Sequence, residues 1–163
     1  MNAELDRVAS SLCLAAPESR GLALSFGLAC AKRVEHLLEE PEVLECLEVL
    51  EQYVAGLATS EALLKAAEAA ALLANRHRGS KSIDGCGHAA VSASYGVSKA
   101  VSGKAMEAAQ YCAYAAVYAA GGYAAVAERE AFEPEFAWQV QRLQSLAVAV
   151  SNGTSRVMAP SDA

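Results

Sequence analysis

The stretch Thr59-Ser-Glu-Ala-Leu-Leu-Lys-Ala-Ala-Glu-Ala-Ala-Ala-Leu-Leu-Ala-Asn-Arg-His-Arg78 decides the fold. Ala66, Ala67, Ala69, Ala70 and Ala71 crowd its middle. Alanine is the strongest intrinsic helix former, because it loses no side-chain entropy in a helix. Thr59-Ser60 supplies an N-cap, with acidic Glu61 in the first turn, and Arg76, His77 and Arg78 suit the negative end of the helix dipole. The rest of the chain has the same character: 37 of its 163 residues are alanine. Ile83 is the one isoleucine, and Thr59 and Thr154 are the two threonines, so strands have little to build from. The chain reads as all-α.

Proline and glycine divide it into elements. A first helix is expected over about Ala3–Ala15. A second runs from near Ser19 to Glu39, with Leu22, Phe26, Ala29, Val34 and Leu37 as its apolar stripe. Pro41 opens a third, in which Val43, Leu47, Leu50 and Val54 recur at helical spacing and Gly56 marks the end. After the fourth helix, turn-forming residues fill Gly79–Gly87. A fifth helix is expected from about Cys86 to Val101 and a sixth from Lys104 to Ala120. Gly121-Gly122 is a break or kink, with helix resuming toward Glu130. Pro134 starts a seventh through Phe136, Val140, Leu143 and Leu146. The expectation is a single-domain bundle of six to seven mostly antiparallel helices over residues 1–150, with a disordered tail over residues 151–163.

Bulk properties narrow the function. A net charge of −6 argues against nucleic acid, whose phosphates need a basic surface, and suits a basic protein partner. Tyr111–Ala127, the longest weakly polar run, is too short and too feebly apolar to span a membrane. The start, Met1-Asn-Ala-Glu-Leu-Asp-Arg7, is not a secretory signal. Cys13, Cys30, Cys46, Cys86 and Cys112 are scattered in helical patterns beside small residues. Buried, reduced thiols in a cytoplasmic protein are the simplest account.

No Ser-His-Asp order, phosphate loop or paired-carboxylate pattern is present. Gly85-Cys86-Gly87-His88 precedes a helix but lacks the Lys-Ser/Thr of a phosphate loop. Cys86 and His88 are two residues apart at a helix start, where a thiol pKa is lowered. They define a ligand reading, completed by Tyr95, but metal sites want three or four ligands at suitable spacing, so neither a metal nor another cofactor is expected. Tyr111, Tyr114 and Tyr118 share a helix face, with Tyr95 positioned to join them from the fifth helix. Such a face is either an interface or gap-filling beside alanine. Glu42, Glu45, Glu48 and Glu51 step by three opposite the apolar stripe of the third helix. They read either as solvated charge or as a docking patch for a basic partner.

From Leu22 to about Ala120 the order of parts resembles a family of alanine-rich, all-helical immunity proteins of bacterial polymorphic toxin systems. The resemblance rests on Leu22-Ala-Leu-Ser-Phe-Gly-Leu-Ala-Cys-Ala-Lys-Arg-Val34 followed by an acidic turn, and on a helix ending Tyr53-Val-Ala-Gly-Leu57. It continues through Ala62–Leu72, then Gly87-His88-Ala-Ala-Val91 with Ser92-Ala93, and Ala108-Ala-Gln-Tyr-Cys-Ala-Tyr-Ala115. The family pattern places a histidine after the small-residue run, where this chain has Tyr95, which weighs against a histidine-dependent role. The resemblance implies a cytoplasmic protein that neutralises a toxin by binding it. Non-catalytic protein binding is therefore the leading expectation. A small enzyme or ligand-binding protein centred on His88 and Cys86 is the alternative, together with a structural or homo-oligomeric module.

Overall fold

A computed structural model describes residues 2–77 and 87–157. Among these residues seven α-helices follow one another: α1 (Ala3–Ser11), α2 (Arg20–Arg33), α3 (Pro41–Val54), α4 (Ser60–Arg76), α5 (Gly87–Val101), α6 (Ala105–Ala125) and α7 (Glu133–Val157). Short 3-10 turns at Pro17–Ser19, Glu35–Leu37 and Arg129–Phe132 join some of them. Among the described residues there is no strand. The caps read from the sequence are in place. Thr59 Oγ1 accepts from the Ala62 amide at 3.2 Å, and Pro41 sits in the first turn of α3. Gly56 and Gly103 take positive φ (76° and 75°) just beyond α3 and α5, a backbone region that suits glycine.

α5 is the centre of the bundle and packs on α2, α3, α4 and α6. Ala89, Ala90, Ala93, Ser94, Gly96, Val97, Ser98, Ala100 and Val101 are all buried, so α5 has little outward face. Small residues make this placement workable. A Cβ at Gly96 would meet Cys112 Sγ of α6 at 2.6 Å, and one at Gly27 of α2 would meet Ala100 at 3.2 Å. The backbones therefore approach more closely than larger residues permit.

Around this centre lie two larger apolar clusters and a smaller third one of Ala113, Val117 and Phe132. Of the larger two, one gathers Leu5, Phe26, Cys30, Cys112 and Leu143 from α1, α2, α6 and α7. The other gathers Leu24, Leu47, Leu50, Leu63 and Leu73 with Val97 and Val101. Each fully buried leucine contributes about 1.5–3 kcal/mol over its exposed state.

Several boundaries differ from the expectation. α1 stops at Ser11, because Cys13 adopts φ 48° and turns the chain toward Pro17. Cys13 is consequently exposed, unlike the buried thiol expected there. α2 stops at Arg33 and the stretch to Leu37 tightens into a 3-10 turn. α2 also lacks a one-sided stripe: Ala23, Leu24, Phe26, Gly27, Cys30 and Ala31 are buried on several sides, since α3, α5, α6 and α7 all pack on it. Val54 is 38 % exposed, in the last turn before Gly56, and Cys46 joins Val43, Leu47 and Leu50 in the buried face instead. α6 continues past Ala120 to Ala125, with the kink at Gly122 (φ 62°, ψ −154°), a region open in practice to glycine alone. α7 runs on to Val157, past Asn152, with Ser151 Oγ donating to the Ala147 carbonyl at 3.0 Å in its later turns.

Candidate functional site

α5 and α6 are joined by Ser102, Gly103 and Lys104 and run antiparallel. Three cross-helix pairs mark the seam: His88 with Tyr118 (ring centroids 5.4 Å), Tyr95 with Tyr111 (5.2 Å) and Lys99 with Glu107 (2.6 Å). The two numbers in each pair add to the same total, so descending one helix climbs the other without a slip in register. Steps of seven and four along each helix keep all three pairs on one face. The Glu107 carboxylate holds the Lys99 ammonium above its usual pKa, and Lys99 holds Glu107 below the usual carboxylate range, each chiefly through their hydrogen bond.

At the His88 end the ladder opens into an aromatic corner. Tyr123 meets the imidazole edge-on at 4.6 Å and Tyr118 at 5.8 Å. The kink at Gly122 precedes Tyr123 directly and redirects the chain there. Tyr114 lies 6.2 Å from Tyr118 and meets Phe132 at 5.1 Å, and Phe132 meets Phe136 at 5.4 Å. Tyr123 is 58 % and Tyr114 37 % exposed, and His88 is exposed as well. Tyr114, Phe132 and Phe136 also line a groove of about 540 Å³, with Asp6, Arg129 and Gln139 among its other residues. Gln139 is buried and donates to the Ala109 carbonyl at 2.8 Å.

Thus the structure brings His88, Tyr114 and Tyr118 together. Tyr111 stands apart, stacked on Tyr95, whose hydroxyl donates to Asn75 Oδ1 at 3.0 Å. Tyr95 is two turns from His88, and Cys86 lies outside the described residues. Tyr123, Phe132 and Phe136 were not among the candidate site residues; Phe136 stood in the sequence reading only as part of the seventh helix. The Gly121-Gly122 pair was the signal for Tyr123, since a break there is what lets a later ring fold back.

Glu42, Glu45, Glu48 and Glu51 are all exposed on α3. They do not form a uniform patch. Glu51 is tied to Lys32 of α2 at 2.8 Å, and Lys32 also holds Glu35 at 3.1 Å. Glu42 and Glu45 border a groove of about 680 Å³ between α3 and α4. Val49, Ala66, Ala69 and Leu72 line it, and Lys65 and Arg76 of α4 stand along its other side. Leu72 is 65 % exposed.

A half-buried ion pair locks α2 to α7: the Glu135 carboxylate is buried and the Arg33 guanidinium is partly exposed. Arg33 Nε donates to Glu135 Oε2 at 2.5 Å, and the guanidinium lies 4.5 Å from the Trp138 ring centroid. Its partners are separated by 102 residues, so no local pattern announced it. Burial pushes the Cys30, Cys46 and Cys112 thiols above their usual pKa, which makes them poor nucleophiles. Among the described residues, no group of three or more His, Cys, Asp or Glu side chains is arranged to hold a metal ion, and no helix is long and apolar enough to cross a membrane.

No protein-family model, curated protein or solved structure matches this chain.

Proposed function

We propose that the protein works by binding another protein, without catalysis, and that the aromatic corner is its anchor. The observation that carries this reading is the exposure of Tyr114, Tyr123 and His88 in one ring cluster beside a groove. Rigid amphipathic rings of this kind dominate interface energetics, because they desolvate a large area at low entropic cost. The net charge of −6 and the α3 carboxylates supply a field that attracts a basic partner over distance. The resemblance of residues 22–120 to immunity proteins makes a basic toxin domain the partner we propose, neutralised in the cytoplasm.

The test is co-expression with a toxin domain encoded beside this chain, scored by survival of the host and by binding kinetics. The wild-type chain is expected to rescue growth. Tyr114→Ala with Tyr123→Ala should lose rescue and raise the dissociation rate about 100-fold, as two hot-spot residues would. Both side chains are partly exposed, so the helical spectrum should persist. Glu48→Lys should slow association and flatten its salt dependence. Full rescue by the folded tyrosine double variant would remove the corner from the interface.

A further inference from the structure

We propose that the α3–α4 face joins two copies of this chain about a two-fold axis. The groove there has an apolar floor and two charged rims of opposite sign: Glu42 and Glu45 on α3, Lys65 and Arg76 on α4. Among the described residues, Glu42, Glu45 and Arg76 make no ion pair, and Lys65 makes only the exposed contact to Glu61 on its own helix. A surface that carries both signs on parallel rims can complement itself.

Charge selects one of two arrangements. A two-fold axis running across the helices would lay α3 on α3, carboxylate against carboxylate. An axis running along the groove lays α3 of each copy over α4 of the other, and each acidic rim then faces a basic one. α3 and α4 are antiparallel, because the start of α3 (Glu42, Glu45) lines the groove with the end of α4 (Leu72, Arg76), while Tyr53 reaches Ser60 at 3.4 Å. Rotation about an axis along the groove preserves these levels. Glu42 of one copy therefore meets Arg76 of the other. Leu72, 65 % exposed on α4, enters the second copy's groove beside Cys46 and Val49. An isologous contact of this kind closes on itself and stops at a dimer. It uses helices other than those that form the aromatic corner but shares the α3 carboxylates with the partner reading, so Leu72→Glu, which leaves both the corner and those carboxylates intact, separates the two.

The experiment is sedimentation of the full chain over a concentration series. A dimer is expected, weakening as salt rises. Leu72→Glu should sediment as a monomer with an unchanged helical spectrum. Glu42→Lys with Glu45→Lys, and separately Lys65→Glu with Arg76→Glu, should each raise the dissociation constant about 10-fold or more, since each variant carries like charge on both rims. Mixing the two variants should restore a dimer, as a heterodimer, because each then supplies the sign the other lacks. A wild-type chain that stays monomeric throughout the series overturns the proposal. So does a dimer indifferent to Leu72→Glu, or charge variants that fail to pair when mixed.

Discussion

On α4 the alanines share the helix with Leu63 and Leu73, which fill the interior, while Leu64 and Leu72 point outward at 61 % and 65 % exposure. On α5 the alanines fill the interior themselves, helped by Gly96, Ser94 and Ser98. Both helices are rich in small residues, but α4 carries four leucines and α5 none. They differ in how many neighbours each must accommodate. α4 touches the bundle along one side and needs bulk there. α5 is packed on several sides, and those sides must be thin, while its His88, Tyr95 and Lys99 face carries the bulk. Alanine serves as a helix former in the first case and as a spacer in the second.

This contrast yields a graded set of expectations. Leu63→Ala removes a buried side chain from α4 and should cost about 2–5 kcal/mol in urea unfolding, through lost burial and a residual cavity. A loss comparable to a surface change would mean that α4 is not anchored by bulk. Gly96→Ala adds one methyl group to α5, yet should cost about 1–3 kcal/mol by overpacking against Cys112. Adding Cys112→Ala should recover part of that loss, so the double variant falls short of the sum of the single effects. Strict additivity would show that the two positions are not in contact.

Smaller effects sharpen the picture. Glu107→Gln breaks the seam's ion pair, which is half-exposed, and should cost about 0.5 kcal/mol or less at neutral pH. Glu107 has a lowered pKa in the fold, so its contribution is present above the ordinary carboxylate range and disappears as pH falls through the lowered value. Lys99 has a raised pKa, so its contribution is present below the ordinary lysine range and is lost as pH rises through the raised value. Thermal melts of wild type and variant should converge in acid and differ at neutral pH. Leu64→Ala, one residue from Leu63, should change stability by no more than about 0.5 kcal/mol. A large effect there would show that the outward face of α4 is covered.

The all-α class was legible because alanine, the prolines and the Thr59 cap all act locally. So were most breaks: Gly56, Gly103 and Gly122 stand where the backbone requires them. The stripe on α2 was misleading, since Leu22, Phe26, Ala29, Val34 and Leu37 suggest one buried face and α2 has several. A periodicity argument assumes one side faces water, and for α2 that assumption fails. The tyrosines of α6 were visible as a face, but their partners were not. Tyr123 depends on a kink, and Phe132 and Phe136 arrive from a later element. The acidic steps of α3 were visible too. Lys32, Lys65 and Arg76 come from other helices and could not be placed beside them from spacing alone.

The matched numbering along the α5–α6 seam has a kinetic consequence. Contacts between residues linked by a three-residue turn are close in sequence, so they close small loops and lose little chain entropy in forming. The α5–α6 hairpin is thus the natural first piece of the folding nucleus, and the Arg33–Glu135 lock, reached across 102 residues, belongs to the end of the reaction. Gly96→Ala is expected to slow refolding, whereas Glu135→Gln should chiefly hasten unfolding. Stopped-flow measurements over a urea series separate the two, and equal effects on both limbs for both variants would indicate a nucleus spread over the whole bundle.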